Sequence, residues 1–386
     1  MSTGRGPLTL RVSSIVLAGL ACSLRGAPSA STVPSTQIPP EAAAPTAVAV
    51  STPVAEPLVV THLGSEFQVY ELDGTLLETR SAEGLSWARP NTAQVVGQSI
   101  YYVAEGAGEG GAVVRRVTST DTSDLEFTRS GDPSEIVTFA VSDDGSQIAW
   151  GRSSWANGPP FSQLWIAGID GGTPVLIAQT ETLDDIAEFF VLEPVRWLDD
   201  GDLVYAWQVT GIGGYILFFG WSSLFSYDVA SGATRPVAAL APDVTAPCWT
   251  GLTGDGGFAA GACGAAREVI ERNTQTGIDT VFPVLADQGQ AGAAAYAPSG
   301  NRLGYAIARG DPDNEAGQLV LVAGRGQGPS VIASHAPGAF DEIQWIDEER
   351  MAIGYWQGEG SFVDIVGVDG ARTAVGQGRL IGLMRR

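Results

Sequence analysis

The stretch Phe139-Ala-Val-Ser-Asp-Asp-Gly-Ser-Gln-Ile-Ala-Trp150 decides the fold. It joins an aromatic anchor, a polar turn with Asp and Gly, and an alternating apolar strand. Related copies begin at Trp197 (WLDDGDLVYAW), Trp249 (WTGLTGDGGFAAG), Tyr296 (YAPSGNRLGYAI) and Trp345 (WIDEERMAIGYW), and Trp87 opens a degenerate one. By subtraction of their numbers, the anchors stand 52, 58, 52, 47 and 49 residues apart. A unit of that length filled with short strands predicts a propeller or an array.

Outward from this copy, four strands can be read: Ile136–Val141, Gln147–Gly151, Gln163–Ile169 and Pro174–Gln179, joined by Gly/Asp turns. Such an antiparallel meander is one propeller blade. The same parse gives blades over Val195–Leu240, Cys248–Leu285, Ala293–Ser334 and Glu342–Gly376, and more loosely over Leu85–Thr128. Leu58–Thr79 supplies three strands, and Leu380–Met384 is left over at the other end. Deficit and surplus complete each other. The expectation is an all-β propeller of seven four-stranded blades, closed by N- and C-terminal strands in one blade, which leaves no open sheet edge to guard. Six or eight blades are compatible with the weak pattern of Leu85–Thr128.

Three copies carry a resemblance: VSDDGSQIAW (Val141–Trp150), APSGNRLGY (Ala297–Tyr305) and WLDDGDLVYAW. They resemble the TolB-type repeats of bacterial envelope proteins, which also build the propeller of prolyl-oligopeptidase-like enzymes. The Pro of that pattern survives at Pro298, where Ser299 replaces the Asp. The likeness covers Leu58 to the end and implies a fold, not an activity. The Gly-x-Ser-x-Gly nucleophile motif of the peptidases does not occur.

Residues 1–22 read as an export signal: Arg5 and Arg11, then an apolar run Val12–Ala21 too short to span a bilayer. Gly19-Leu20-Ala21-Cys22 resembles a bacterial lipobox, although Leu20 stands one place late; this implies lipidation at Cys22 and a membrane anchor. Plain cleavage after Ala21 or Ala30 would instead give a secreted protein. Residues 23–57, rich in Pro, Ala, Ser and Thr, read as a tether, and 58–386 as the propeller domain. The domain is expected to be monomeric and to lie outside the cytoplasm.

The net charge is −22, from 43 acidic and 21 basic residues, which argues against nucleic acid as a partner. His62 and His335 are too few for a zinc site, and no cofactor is expected. Cys248 and Cys263 fall in one repeat and, in an exported chain, predict a disulfide; two buried thiols are the alternative.

In a meander blade, turns between strands one and two or three and four share one face of the ring, and the remaining connections share the other. The first face carries tight turns such as Asp143-Asp144-Gly145 and Asp199-Asp200-Gly201, whose Asp and Gly are turn chemistry rather than metal ligands. The second face is assigned the long loops Glu105–Gly111, Ser153–Ser162, Leu183–Glu193, Thr210–Trp221, Gly310–Gly317 and Gln357–Gly360. They hold the candidate binding residues Trp155, Phe161, Phe189, Phe190, Tyr215, Phe218, Phe219 and Trp221, beside Glu105, Glu109, Asp184, Asp185, Glu188 and Glu359. Asp311, Asp313 and Glu315 alternate like the start of a calcium loop, without its Gly and closing Glu. Gly211–Trp221 (GIGGYILFFGW) reads either as a buried plug over the channel or as an exposed recognition patch.

Two functions fit this layout. One is a non-catalytic module that binds an envelope protein or a glycan through its loop face. The other is a funnel enzyme, a carbohydrate hydrolase or lyase working through loop-face carboxylates. Two facing carboxylates, one strongly perturbed, would mark the enzyme.

Overall fold

The computed structural model describes residues 55–86, 92–106, 110–154, 160–180, 190–209, 218, 220–238, 248–262, 268–283, 289–309, 316–335 and 338–386, with the backbone alone at Phe190 and Val209. Seven four-stranded antiparallel sheets form seven blades. Blade 1 holds β1 (Leu58–Leu63), β2 (Glu66–Tyr70) and β3 (Leu76–Ser81). Blade 2 holds β4 (Ala93–Val96), β5 (Ser99–Ala104), β6 (Val113–Val117) and β7 (Thr122–Asp124). Blade 3 holds β8 (Ile136–Val141), β9 (Gln147–Ser154), β10 (Phe161–Gly168) and β11 (Val175–Thr180). Blade 4 holds β12 (Phe190–Trp197), β13 (Leu203–Val209), β14 (Ser223–Tyr227) and β15 (Thr234–Ala238). Blade 5 holds β16 (Trp249–Leu252), β17 (Phe258–Gly261), β18 (Val269–Asn273) and β19 (Asp279–Phe282). Blade 6 holds β20 (Gln290–Tyr296), β21 (Leu303–Arg309), β22 (Ala316–Val322) and β23 (Pro329–His335). Blade 7 holds β24 (Phe340–Trp345), β25 (Arg350–Gln357), β26 (Gly360–Gly367) and β27 (Arg372–Gln377), and β28 (Arg379–Met384) returns to blade 1.

The closing strand takes the innermost place, in the order β28-β1-β2-β3. Leu58 lies opposite Met384, and His62 opposite Arg379. Seven buried clusters among the described residues fill the seven gaps between neighbouring blades. Val59, Tyr70 and Leu380 of blade 1 meet Val363 and Ile365 of blade 7, which closes the ring. Val60, Phe67 and Ile381 meet Ile100 and Tyr102 of blade 2 on the other side.

The true repeat is the turn after the innermost strand. Gly145, Gly201, Gly256 and Gly300 have φ of 70°, 88°, 67° and 71°. Each N–H donates to the carbonyl three residues back, on Ser142, Leu198, Thr253 and Ala297. A side chain costs about 1 kcal/mol or more in that left-handed conformation, so Gly recurs. The aromatic anchors are less regular. Trp197, Tyr296 and Trp345 end their innermost strands, whereas Phe139 sits in mid-strand and Trp249 begins one.

Polar side chains tie the innermost strands across the gaps. Gln94 on β4 forms two bonds with the backbone of Val141: its Nε2 donates to the carbonyl (3.0 Å) and its Oε1 accepts the N–H (2.8 Å). Arg196 donates to the Leu252 carbonyl, Gln344 to that of Ile381, and Thr250 accepts from the Ala294 N–H. The indoles of Trp197 and Trp345 donate to Ala140 and Ala295 in the preceding blades. These bonds satisfy backbone groups that border a channel and set the blade angle at the same time.

Candidate binding face

The first face is chemically self-contained. Asp144 accepts from the Ser142 and Ser146 hydroxyls and the Ser146 N–H, which hold its carboxyl down at about 2. Asp73, Asp200, Asp255 and Asp369 each accept the N–H two residues on. Each is tied to its own turn in this way, and no group of three or more metal-ligating side chains occurs among the described residues.

The second face differs. It carries the connections between strands two and three and between strand four and the next blade. Trp155, Phe189, Tyr215, Phe219, Glu109, Asp184, Asp185 and Glu188 lie outside the described residues, as do Asp311, Asp313 and Glu315. Cys22 and Cys263 also lie outside them, while Cys248 is disulfide-bonded.

Several loop assignments change. Phe161 and Phe190 are not loop residues: each begins a strand, because the alternating pattern runs on past the expected loop ends. Gln357–Gly360 is not a long loop but a tight turn, with Gln357 paired to Gly360. Glu193, placed at a loop end, is buried within β12.

Phe218 and Trp221 are anchored on the ring. Phe218 is half-buried and packs with the cluster between blades 6 and 7. It occupies the space above Gly292 on β20, where any Cβ would collide with it. A bulge follows in β20, between Gly292 and Ala295, and Ala293 there has φ of 50°. The Trp221 N–H donates to the Trp249 carbonyl at 2.7 Å, and the Trp249 N–H donates back at 3.0 Å. The described part of Gly211–Trp221 therefore reaches from blade 4 over the innermost strands of blades 5 and 6.

Two polar recesses open on this face. The first is at the channel mouth, where β24 and β28 begin. Asp341 and Glu342 stand beside Arg379, and Gln344 Nε2 donates to Glu342 Oε1 at 3.0 Å. Both acids keep part of their surface exposed, yet protein surrounds them. Burial pushes Glu342 up to about 7, with the Asp341 charge adding to the rise and Arg379 opposing it. Burial also raises Asp341, again against Arg379. Burial first, and then the same Arg379, lower His62.

The second is a cleft of about 210 Å³ between blades 2 and 3, lined by Thr92, Val103, Glu105, Ala112, Glu135 and Val137 among others. Glu105 accepts the Ser86 hydroxyl at 2.7 Å. Glu135 Oε2 accepts from Arg152 Nε and Nη2 at 2.8 and 2.7 Å. Of these, only Glu105 stood among the residues singled out by sequence. Thr92, Glu135 and Glu342 carry no local motif; their setting comes from distant segments.

No family model and no curated protein matches the chain. Solved structures do. A protein from Lactobacillus plantarum is similar with a TM-score of 0.51 at 12% identity, over 85% of this chain and 98% of that one. TolB from Acinetobacter baumannii has a TM-score of 0.43 at 12% identity, over 84% and 80%. An oligogalacturonate lyase in complex with manganese has a TM-score of 0.49 at 10% identity, over 75% and 79%. At such identities a likeness speaks for fold alone. By its own topology, and in the company of these structures, the chain is a seven-bladed β-propeller whose solved neighbours include TolB proteins.

Proposed function

We propose that this propeller is an extracytoplasmic binding module that presents its second face to an envelope protein or a glycan. One observation carries the reading. Asp73, Asp144, Asp200, Asp255 and Asp369 on the first face are each tied to their own turn, whereas the cleft lined by Glu105 and Glu135 opens on the second. Rigid scaffolds concentrate recognition where connections, not turns, vary. The signal-like residues 1–22 and the tether-like residues 23–57 support the location.

The test shields one face at a time. In a Cys22→Ser background, a bulky polymer is attached at Ser134→Cys on the second face or at Ser231→Cys on the first. Capture of material from envelope extract should fall for the first conjugate and persist for the second. Equal capture by both, or loss from the Ser231 conjugate alone, would refute the reading.

The raised carboxyl of Glu342 favours a second reading, a funnel enzyme. Against it, Asp341 and Glu342 share one strand of one wall, whereas glycosidic cleavage needs carboxyls on either side of the bond. Release of reducing ends from an envelope polysaccharide, abolished in Glu342→Gln, would establish the enzyme; no release by the parent would remove it.

A further inference from the structure

The cleft between blades 2 and 3 is more than a gap in the packing. Its apolar wall is made by Val103 and Val137, both buried, and by Ala112, which is partly buried. Glu105 follows β5 and Glu135 precedes β8, so two neighbouring blades each contribute one carboxylate. Each is steadied by a partner, Glu105 by Ser86 and Glu135 by Arg152, and each keeps lone pairs to spare. The same cleft is lined by Thr92, which is 2% exposed and whose hydroxyl makes no hydrogen bond. Its backbone is fixed, because the Thr92 carbonyl accepts the Val103 N–H at 2.9 Å. A buried hydroxyl without a partner is uncommon, and in a cleft it marks a bond left for a ligand.

The chemistry narrows the ligand. Two carboxylates repel an anion. Arg152, already paired with Glu135, opposes a metal cation. A wholly apolar guest would desolvate the carboxylates and leave Thr92 unmet. A neutral ring with hydroxyls at its edge and C–H groups on its face satisfies every wall, and the volume suits one such ring.

We propose that this cleft binds a single neutral saccharide ring, with hydroxyls donating to Glu105 and Glu135, a further bond to the Thr92 hydroxyl, and the C–H face on Val103, Ala112 and Val137. The proposal rests on the second face being the recognition surface and names the ligand of one site there.

The test is saturation-transfer NMR on the full chain, with D-glucose, D-galactose, D-mannose and N-acetylglucosamine as probes and propylammonium as a control. Transfer to at least one sugar is expected, with affinity falling about tenfold or more in Glu105→Gln and in Thr92→Val. Thr92→Val should melt no lower than the parent, since it deletes an unmet buried hydroxyl; lost transfer is then not lost folding. Silence toward all four sugars would overturn the proposal, as would transfer that survives both substitutions, or transfer to propylammonium alone. Sugar silence with face-selective capture intact would remove the ligand and leave the binding face; loss of face selectivity with sugar transfer intact would do the reverse.

Discussion

Replacing Glu342 by Gln should stabilise the propeller at and above neutral pH and leave it unchanged in acid. The carboxyl titrates at about 7 in the folded chain, against 4.5 ordinarily, and burial is the main cause. An acid raised by folding ionises more readily in the unfolded chain. Below about pH 4.5 the group is protonated in both states and contributes no difference. Between about 4.5 and 7 the unfolded chain gives up its proton first, so stability falls as pH rises. Above about 7 the loss is complete. At about 1.36 kcal/mol per pH unit, that interval amounts to about 3 kcal/mol. Unfolding entropy of about 2.1 cal/mol/K per residue, over roughly 330 residues, converts this to about 4 °C in Tm. Gln keeps an oxygen for the Gln344 amide and removes the charge. Because Asp341 lies beside it, the titration belongs to the pair, and its midpoint will be broad. Thermal melts of parent and variant across this pH range give the result directly. The two curves should coincide in acid and separate through the stated window, with the variant higher. Parallel curves, or a variant less stable at alkaline pH, would refute the buried-carboxyl account.

Truncation before Arg379 removes the innermost strand of blade 1, with Leu380, Ile381 and Met384 all buried; loss of soluble folded protein is expected, and a truncated chain with the parent's melting temperature would contradict the closure. Trp345→Phe leaves the Ala295 carbonyl without its indole donor and should cost about 1–3 kcal/mol in urea unfolding. Phe218→Ser with Trp221→Ser should lower the melting temperature, because both side chains pack on core clusters; an unchanged melt would return these residues to the exposed-patch reading. Mass spectrometry of a non-reduced digest should find Cys248 joined to Cys263, and a Cys248 peptide bridged elsewhere, or alkylated as a free thiol, would exclude that pairing.

The fold was readable because its decisive signals are local. An Asp-Gly turn specifies itself within about five residues, as at Asp144-Gly145, and closure followed from counting strands. Ile136–Val141 matches β8 residue for residue. Trp249 misled because aromatic character alone does not fix register; the left-handed Gly256 does. Phe161 and Phe190 were read as loop because strand ends on the second face carry no turn residue to stop the pattern. The site was far less readable. Thr92 is an ordinary Thr until Val103 pins its backbone, and Glu342 is an ordinary Glu until Arg379 and the neighbouring strands surround it. Ties such as Gln94 to Val141 join segments 47 positions apart, and no local pattern encodes them.

The pairing of Leu58 with Met384 bears on the order in which the molecule can be finished. Among the 28 strands of the described residues, β28 is made last, yet it is the inner wall of the blade that is begun first. Until it arrives, β1 offers a row of unpaired backbone groups toward the ring's centre, open to a strand from another chain. A circular permutant would move that wait to another blade. A short Gly-containing turn could join Arg386 to Pro57, and new ends could be opened at Asp170-Gly171. Blade 1 would then assemble from consecutive strands, while the pairing of β10 with β11 would become the most distant contact in its place. The cut would move the last-placed strand to blade 3, on the other side of the cleft from the original seam.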